Sequence, residues 1–189
     1  MILVDTPIWP WRGRLWGHMV SDVSFHELHQ FAQQLGKRRI GFQGDHYDID
    51  QVEYERAVEM GATTIDSREL VRRLRDSGLR RRTKRPQWEL AYRSKDTQSF
   101  DSLIEIVQNA VTSAADCSRF LNVLRSANSN PEVRDALIVQ RTGASALVLE
   151  FDEGPELDTA GLDLFVEHKS EDTAVFELII GNCEQEPAF

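Results

Sequence analysis

The chain has 189 residues, with 31 Asp or Glu against 22 Lys or Arg, a net charge of −9 and a pI near 5.1. Its 41% hydrophobic and 28% charged residues are typical of a globular protein and exclude a disordered or fibrous chain. No apolar stretch approaches the roughly 18 residues of a membrane span and no secretory signal is present, so we expect a cytoplasmic protein that does not bind membranes. Cys117 and Cys183 lie 66 residues apart without any CxxC spacing, which indicates neither a disulfide framework nor a cysteine zinc site.

Charge divides the chain near Lys95. Residues 1–95 carry a net charge of +4 and residues 96–189 a net charge of −13. Such a split predicts two units that have different partners or that attract each other. We predict an α/β domain over residues 1–82, a basic and polar linker over 83–98, and an acidic α+β accessory or interaction domain over 99–189.

In the first domain, short apolar runs alternate with helical patterns. The runs Met1–Asp5, Arg39–Phe42 and Ala62–Ile65 predict strands. The helices between and after them begin at capping residues and end at glycines, namely Ser24 to Gly36, Asp50 to Gly61 and Asp66 to Gly78. Strands joined by single helices lie parallel, so the order predicts a small Rossmann-like βαβαβα parallel sheet.

Polar side chains follow each of these predicted strands. In parallel sheets, ligands bind at the carboxyl ends of the strands. The first strand ends at Asp5, the second leads into Gly44–Asp48, and the third is followed by Ser67 and Arg68. The connection after the first strand adds Arg12, Arg14, His18 and Asp22. We therefore predict a ligand site at this edge of the sheet.

The carboxylates of this edge are candidate ligands for a divalent cation, and their oxygen-rich chemistry suits Mg²⁺ or Mn²⁺. The predicted metal ligands are Asp5, Asp22, Asp45 and Asp48. The alternative is a structural role, because aspartates also cap helices and form turns. His18 and His46 are predicted to act as metal ligands or general acid/base groups, and Arg68 to neutralise developing charge.

Arginines and aromatic side chains supply candidate ligand-binding residues. These are Arg12, Arg14, Tyr47 and Ser67. Residues 9–16 hold three tryptophans and two arginines, a mixture that either stacks on bases and binds phosphates or packs a loop over a sheet edge. The basic run 80–85 similarly has two interpretations, as a nucleic-acid contact or as a partner for the acidic half of the chain.

Several segments, taken in order, resemble one family. They are Leu3-Val4-Asp5, Trp16-Gly17-His18 with Ser21-Asp22, Glu27-Leu28-His29, Gly44-Asp45-His46-Tyr47-Asp48, Gly61-Ala62 and Ser67-Arg68-Glu69-Leu70. On these segments, residues 2 to about 82 are similar to a small bacterial and phage domain family of unknown function. The resemblance implies a compact α/β domain and supplies no activity. It covers under half of the chain.

The second half combines helical spacing with β-like runs. Residues 100–111 and 116–124 have helical apolar spacing, and Pro131 suits the first turn of a third helix. The β-like runs are Ala146–Phe151, Leu162–His168 and Thr173–Ile180, and their short connections favour an antiparallel sheet.

The functional hypothesis rests on the predicted edge of the first domain. The chain has no GxxxxGK[ST], GxGxxG, HExxH or GxSxG motif, which disfavours common kinases, classical dehydrogenases, zinc proteases and α/β-hydrolases. The leading hypothesis is a metal-assisted hydrolase or transferase that acts on a phosphate-containing ligand, either a nucleotide or a nucleic acid. The rival is a non-catalytic nucleotide- or partner-binding module whose acidic half binds a protein or masks the basic face.

Overall fold

The computed structural model describes residues 1–81 and 86–181. The chain divides between residues 85 and 86 into two compact units, and each unit has its own hydrophobic core. In these two described ranges, no helix has both the length and the apolar character needed to cross a membrane.

A five-stranded mixed sheet and three helices form the N-terminal unit. The strands are β1 Ile2–Asp5, β2 Trp9–Trp11, β3 Arg14–Ser21, β4 Tyr47–Asp50 and β5 Thr63–Ile65. The helices are α1 Phe25–Leu35, α2 Gln51–Glu59 and α3 Ser67–Asp76, with a 3-10 turn at Arg39–Gly41. The long strand β3 pairs antiparallel with β1, β2 and β4, and β5 pairs parallel with β1. Met19 of β3 faces Val4 of β1 and Tyr47 of β4, so these two partners lie on opposite edges of β3.

The prediction of a Rossmann-like parallel sheet is wrong in its strand directions, because only β1 and β5 run parallel. The connection after β1 is a β-hairpin formed by β2 and β3, with Arg12 at φ 49° and Gly13 at φ 76° in its turn. Positive φ at both central residues is the type I′ pattern that matches the twist of paired strands. The hairpin brings the chain back antiparallel to β1 without a helical crossover.

The strand predicted at Arg39–Phe42 is also wrong. Residues Arg39–Gly41 form the 3-10 turn, and Phe42 forms an isolated β-bridge with Tyr47 outside the named strands. The strand at this place is β4, in which Tyr47 and Ile49 are buried and alternate with Asp48 and Asp50. Such period-2 alternation is typical of a strand with two different faces.

The predicted helix starts in this unit are confirmed. The Ser24 hydroxyl accepts the Glu27 N–H, and the Asp66 carboxylate accepts the N–H groups at the start of α3. Asp50 and Glu53 form a reciprocal capping box at the start of α2. The core beneath these helices includes Leu3, Val4, Met19, Val20, Leu28, Leu35, Ile49, Leu70 and Leu74.

The C-terminal unit contains a five-stranded antiparallel sheet. Its strands are β6 Glu89–Arg93, β9 Asp135–Arg141, β10 Ala144–Phe151, β11 Leu164–Lys169 and β12 Ala174–Gly181, and they lie in the order β11-β12-β10-β9-β6. Two helices, α4 Phe100–Ala110 and α5 Ala114–Arg125, and a small pair of strands, β7 Gln98–Ser99 and β8 Glu132–Val133, complete the unit. The core joins helix residues such as Leu103 and Phe120 to sheet residues such as Leu149 and Phe151.

The three predicted β-like runs and their antiparallel pairing are confirmed as β10, β11 and β12. The helix predicted after Pro131 is wrong, because Glu132–Val133 pairs with Gln98–Ser99 as a strand. Residues Glu89–Arg93, inside the segment predicted to be a linker, form β6 and pair with β9. A register shift between Leu90 and Tyr92 interrupts the regular alternation of this strand, which weakens its sequence signal.

Candidate metal centre

Adjacent strands of the N-terminal sheet bring three polar residues into a row. His18 of β3 lies opposite Asp48 of β4 in the antiparallel register. Val4 pairs with Met19, so the next residue of β1, Asp5, lies beside His18 on the other edge of β3. Neighbouring side chains on one face of a sheet are close enough to interact. The row therefore places an imidazole between two carboxylates.

Asp5 holds His18 through two contacts. Its Oδ1 accepts the His18 backbone N–H at 2.6 Å, and its Oδ2 lies 3.1 Å from His18 Nδ1. Asp5 is only 1% exposed. Gly17 makes this approach possible, because a Cβ at that position would lie 2.5 Å from the Asp5 backbone oxygen. The Asp5 carboxylate thus fixes the orientation of the His18 ring.

A second histidine has the same kind of partner. His46 Nδ1 lies 2.6 Å from Oδ1 of Asp45, which is only 3% exposed. The other oxygen of Asp45 accepts the Arg81 backbone N–H at 2.8 Å and an Arg80 guanidinium N–H at 3.2 Å. Two arginines of the basic run therefore bind a carboxylate of their own unit.

His18, His46 and Asp48 form the candidate metal centre. One potential ligand atom from each of the three side chains lies within 4.8 Å of the other two. The His18 and His46 ring centroids are 5.3 Å apart, and His46 Nε2 lies 3.4 Å from Asp48 Oδ1. Because Asp5 and Asp45 engage the Nδ1 atoms, the Nε2 atoms are the ones available for a metal ion. Asp48 is partly exposed, which gives the cluster access to solvent.

The pKa values of the cluster follow from these hydrogen bonds. Burial would raise the pKa of Asp5 and Asp45, but hydrogen bonds from His18 and His46, respectively, hold both pKa values below the usual range. The pKa of Asp48 is lowered in the same way, against burial, by His46. Burial would lower the pKa of His46, yet its bonds to Asp45 and Asp48 raise that pKa to about 9. At neutral pH, protonated His46 therefore lies between two ionised carboxylates.

Two predicted site residues lie away from this cluster. Asp22 follows Ser21, which pairs with Ile2 at the opposite end of β1 from Asp5. Its carboxylate binds the N-terminal ammonium at 2.9 Å and Arg73 at 3.0 Å. Tyr47 is buried in the core, and its hydroxyl lies 2.9 Å from His29 Nδ1. Strand alternation directs Tyr47 to the face opposite Asp48.

The remaining predicted residues border the cluster or the neighbouring hairpin. Ser67, at the start of α3, hydrogen-bonds the Asp5 side chain, so the first turn of α3 lies beside the cluster. Arg68 follows it and is exposed. Arg14 donates to Asp50 at 2.5 Å, and Arg12 stacks over the Trp11 ring at 4.4 Å.

Lys37 was not predicted. Its Nζ donates to both carboxylate oxygens of Glu53 at 2.9 Å, and its charge helps to lower the pKa of Asp48. The Nζ also lies 5.8 Å from the centroid of the Trp16 ring. No motif singles out this position, because a lysine after a helix-ending glycine such as Gly36 is common at helix C-termini.

Two further charged segments are the remainder of the basic run and an acidic loop of the C-terminal unit. Residues 82–85 of the basic run lie outside the described residues. In the C-terminal unit, the acidic residues Asp152, Glu153 and Glu156 line a groove of about 1060 Å³, together with Phe165 and Phe176. Arg134 forms an ion pair with Asp152.

The fold and cluster define the N-terminal unit as a small mixed-sheet α/β domain that presents two carboxylate-backed histidines. Residues 2–77 match the family described as "Protein of unknown function (DUF4031)". The resemblance seen in the sequence is thereby confirmed, and no family match extends over the C-terminal half. Comparisons with curated proteins and with solved structures found no match.

Proposed function

We propose that the N-terminal unit binds a divalent metal ion through His18, His46 and Asp48 and uses it to hydrolyse or transfer a phosphate-containing ligand. The observation that carries the proposal is the pairing of each histidine with a buried carboxylate behind its ring. Histidines that ligate metals typically donate their second N–H to a carboxylate, which fixes the tautomer and strengthens the ligand. Helix capping and turn formation do not account for Asp5 and Asp45, because both carboxylates contact imidazoles.

The ligand set favours Mn²⁺ or Zn²⁺ over Mg²⁺. Imidazole nitrogen suits transition metals, whereas Mg²⁺ prefers oxygen ligands and retains most of its water. In this arrangement, Asp5 and Asp45 support the ligands rather than bind the ion. Three protein ligands leave a coordination position for water or substrate, as in catalytic zinc sites.

The chemistry would be attack on phosphorus. A divalent ion held by His18, His46 and Asp48 would supply Lewis-acid activation of a water nucleophile. In hydrolysis, the water oxygen would form a bond to phosphorus while the bond to the leaving oxygen breaks, and the proton released by the water would pass to the leaving oxygen. In a transferase, an acceptor hydroxyl replaces the water. Lys37 and Arg14 border this region, paired with Glu53 and Asp50, respectively, and a phosphate would compete with these carboxylates for the two cations.

Metal titration of the full-length, chelator-stripped protein tests the proposal. Isothermal titration calorimetry with MnCl₂, ZnCl₂ and MgCl₂ is run at pH 8, because an ion has to displace the proton held by His46. We expect one Mn²⁺ or Zn²⁺ per chain. His46→Gln and Asp48→Asn should abolish this binding, and Asp5→Asn should weaken it by about 10- to 100-fold because it removes a supporting carboxylate.

The control is His26→Gln, which changes an exposed histidine on α1 and should leave metal binding unchanged. A wild-type protein that binds neither ion, or variants that bind as the wild type does, would exclude the proposed centre. Turnover is measured with a chromogenic phosphodiester and a nucleotide panel in the presence of the bound ion. Binding without turnover would favour the non-catalytic module instead.

A further inference from the structure

We propose that the β2–β3 hairpin is a stacking surface for the bases of single-stranded nucleic acid, which it presents to the candidate metal centre. This inference rests on the proposed function, because it identifies the phosphate-containing ligand of that centre as a nucleic acid strand. The hairpin extends from Trp9 to Ser21, and its tip is the turn at Arg12 and Gly13.

The hairpin exposes an unusual amount of aromatic surface. Trp9 is 55% exposed and Trp11 is 57% exposed, and Ile8 and Leu15 beside them are also exposed. The alternative in which this segment packs its tryptophans over a sheet edge does not hold for Trp9 and Trp11. Large exposed apolar patches commonly mark a binding surface.

The pairing register places this surface next to the metal centre. Trp9 pairs with Trp16, and Trp11 pairs with Arg14, so these four side chains project from one face of the ribbon. His18 is two residues beyond Trp16 on β3 and therefore shares that face. The register continues across to β4, where Asp50 pairs with Trp16 and Asp48 pairs with His18. The same face carries both the indoles and the metal ligands.

Positive charge is interleaved with the rings. The Arg12 guanidinium stacks on Trp11, and Lys37 lies near Trp16. Residues 6–16 include two arginines and no carboxylate; Arg14 is paired with Asp50 of β4, and Arg12 is the cation beside the exposed indoles. Aromatic rings that stack on bases beside cations that bind phosphates are the usual elements of single-strand recognition.

This combination favours a single strand over two other partners. Bases in a duplex are stacked on each other, so their faces are not accessible to an exposed indole. An apolar protein partner would use the indoles, but it would not explain the Arg12 guanidinium stacked on Trp11 or the shared face with the metal ligands. We therefore assign the surface to unpaired bases with their phosphates.

The test measures binding of fluorescein-labelled oligonucleotides to full-length protein by fluorescence anisotropy. Twelve-residue oligo-dT, oligo-U and a matched DNA duplex are compared at 50 mM NaCl with EDTA present, so that the result does not depend on a metal. We expect both single strands to bind more tightly than the duplex, and the DNA and RNA arms to show which strand is preferred. Loss of a stacking ring should weaken binding by about 5- to 150-fold.

Variants separate stacking from general apolar contact. Trp9→Leu and Trp11→Leu keep apolar surface but remove the ring, whereas Trp11→Phe keeps a ring and should retain most of the binding. Trp88→Leu is the matched control, because Trp88 also stacks with an arginine, Arg141 at 4.0 Å, in the C-terminal unit. Circular dichroism verifies that each variant is folded.

Any of three results would overturn the inference: the Leu variants bind the single strands as tightly as the wild type does, the wild type binds duplex as tightly as single strands, or the wild type binds no oligonucleotide. The surface would be reassigned to a protein partner if the wild type bound no oligonucleotide but showed self-association or protein binding that the Leu variants lose. Because the assay contains EDTA, a failure of metal binding leaves this result intact. The two proposals are therefore tested separately.

Discussion

At the scale of single residues, His46 combines burial with two acidic neighbours. Burial disfavours the charged imidazole, but hydrogen bonds to Asp45 at 2.6 Å and to Asp48 at 3.4 Å outweigh that effect and raise the pKa of His46 to about 9. A raised pKa in the folded state means that protonation stabilises the metal-free fold. This stabilisation is complete below the ordinary pKa of 6.5 and is lost as the pH rises through about 9.

The first prediction concerns this titration in the metal-free protein. NMR of the His46 ring between pH 5 and pH 10 should give a midpoint near 9, and Asp45→Asn should lower that midpoint because it removes the closest negative partner. Asp172→Asn, which changes an exposed carboxylate of the C-terminal unit, serves as the control. A wild-type midpoint near 6.5 would show that the carboxylates do not bind the protonated ring.

Residue types identified the members of the cluster but could not assign their positions. Asp5, His18, Asp45, His46 and Asp48 were all named from the sequence, and the structure places them together. Which carboxylate lies behind which ring depends on the register of β1, β3 and β4, and no local pattern encodes a register between strands that are distant in sequence. For the same reason, the sequence grouped Asp22 with these residues, although it lies at the other end of β1.

At the scale of elements, the close approach of β1 and β3 depends on Gly17. A methyl group at this position would lie 2.5 Å from the Asp5 backbone oxygen and 3.0 Å from its carboxylate. We expect Gly17→Ala to force β3 away from Asp5, to destabilise the N-terminal unit by about 1–3 kcal/mol and to weaken metal binding. Urea unfolding followed by tryptophan fluorescence measures the first effect, and calorimetry measures the second.

Gly41→Ala provides the control for this change. An added Cβ there meets its nearest atom, in the Tyr47 ring, at 3.9 Å, which is an ordinary contact. Its unfolding midpoint should match or slightly exceed that of the wild type, because alanine reduces the conformational entropy of the unfolded chain. Equal stability of the Gly17 and Gly41 variants would contradict the steric argument.

The helices were predictable because their signals are local, whereas the strand directions were not. Each helix start in the N-terminal unit has a side-chain cap within three residues of the groups it binds. The hairpin turn has Arg at a position with positive φ, where Asn, Asp or Gly is the usual signal, so the sequence of this turn does not predict a hairpin. The predicted sheet therefore has no strand over Arg14–Ser21, the segment that pairs antiparallel with both β1 and β4.

At the scale of the whole molecule, composition predicted two units of opposite charge, and the fold has two separate cores. The core of the N-terminal unit contains Leu28, and that of the C-terminal unit contains Phe151. Units with their own cores can unfold as separate cooperative transitions.

The last prediction uses this division. Phe151 is fully buried and packs against Phe176, with ring centroids 5.3 Å apart, so Phe151→Ala should cost about 3–5 kcal/mol in the C-terminal unit. In differential scanning calorimetry of the full-length Phe151→Ala protein, we expect one unfolding transition to move to lower temperature. NMR over the same temperatures should show that the His46 signal persists through this transition, because His46 belongs to the N-terminal unit. Leu28→Ala, at a fully buried site of the other core, should shift the transition in which that signal disappears. If either substitution lowered the temperatures of both transitions equally, the two cores would unfold as a single cooperative unit, because the loss of stability in one core would then equal that in the other.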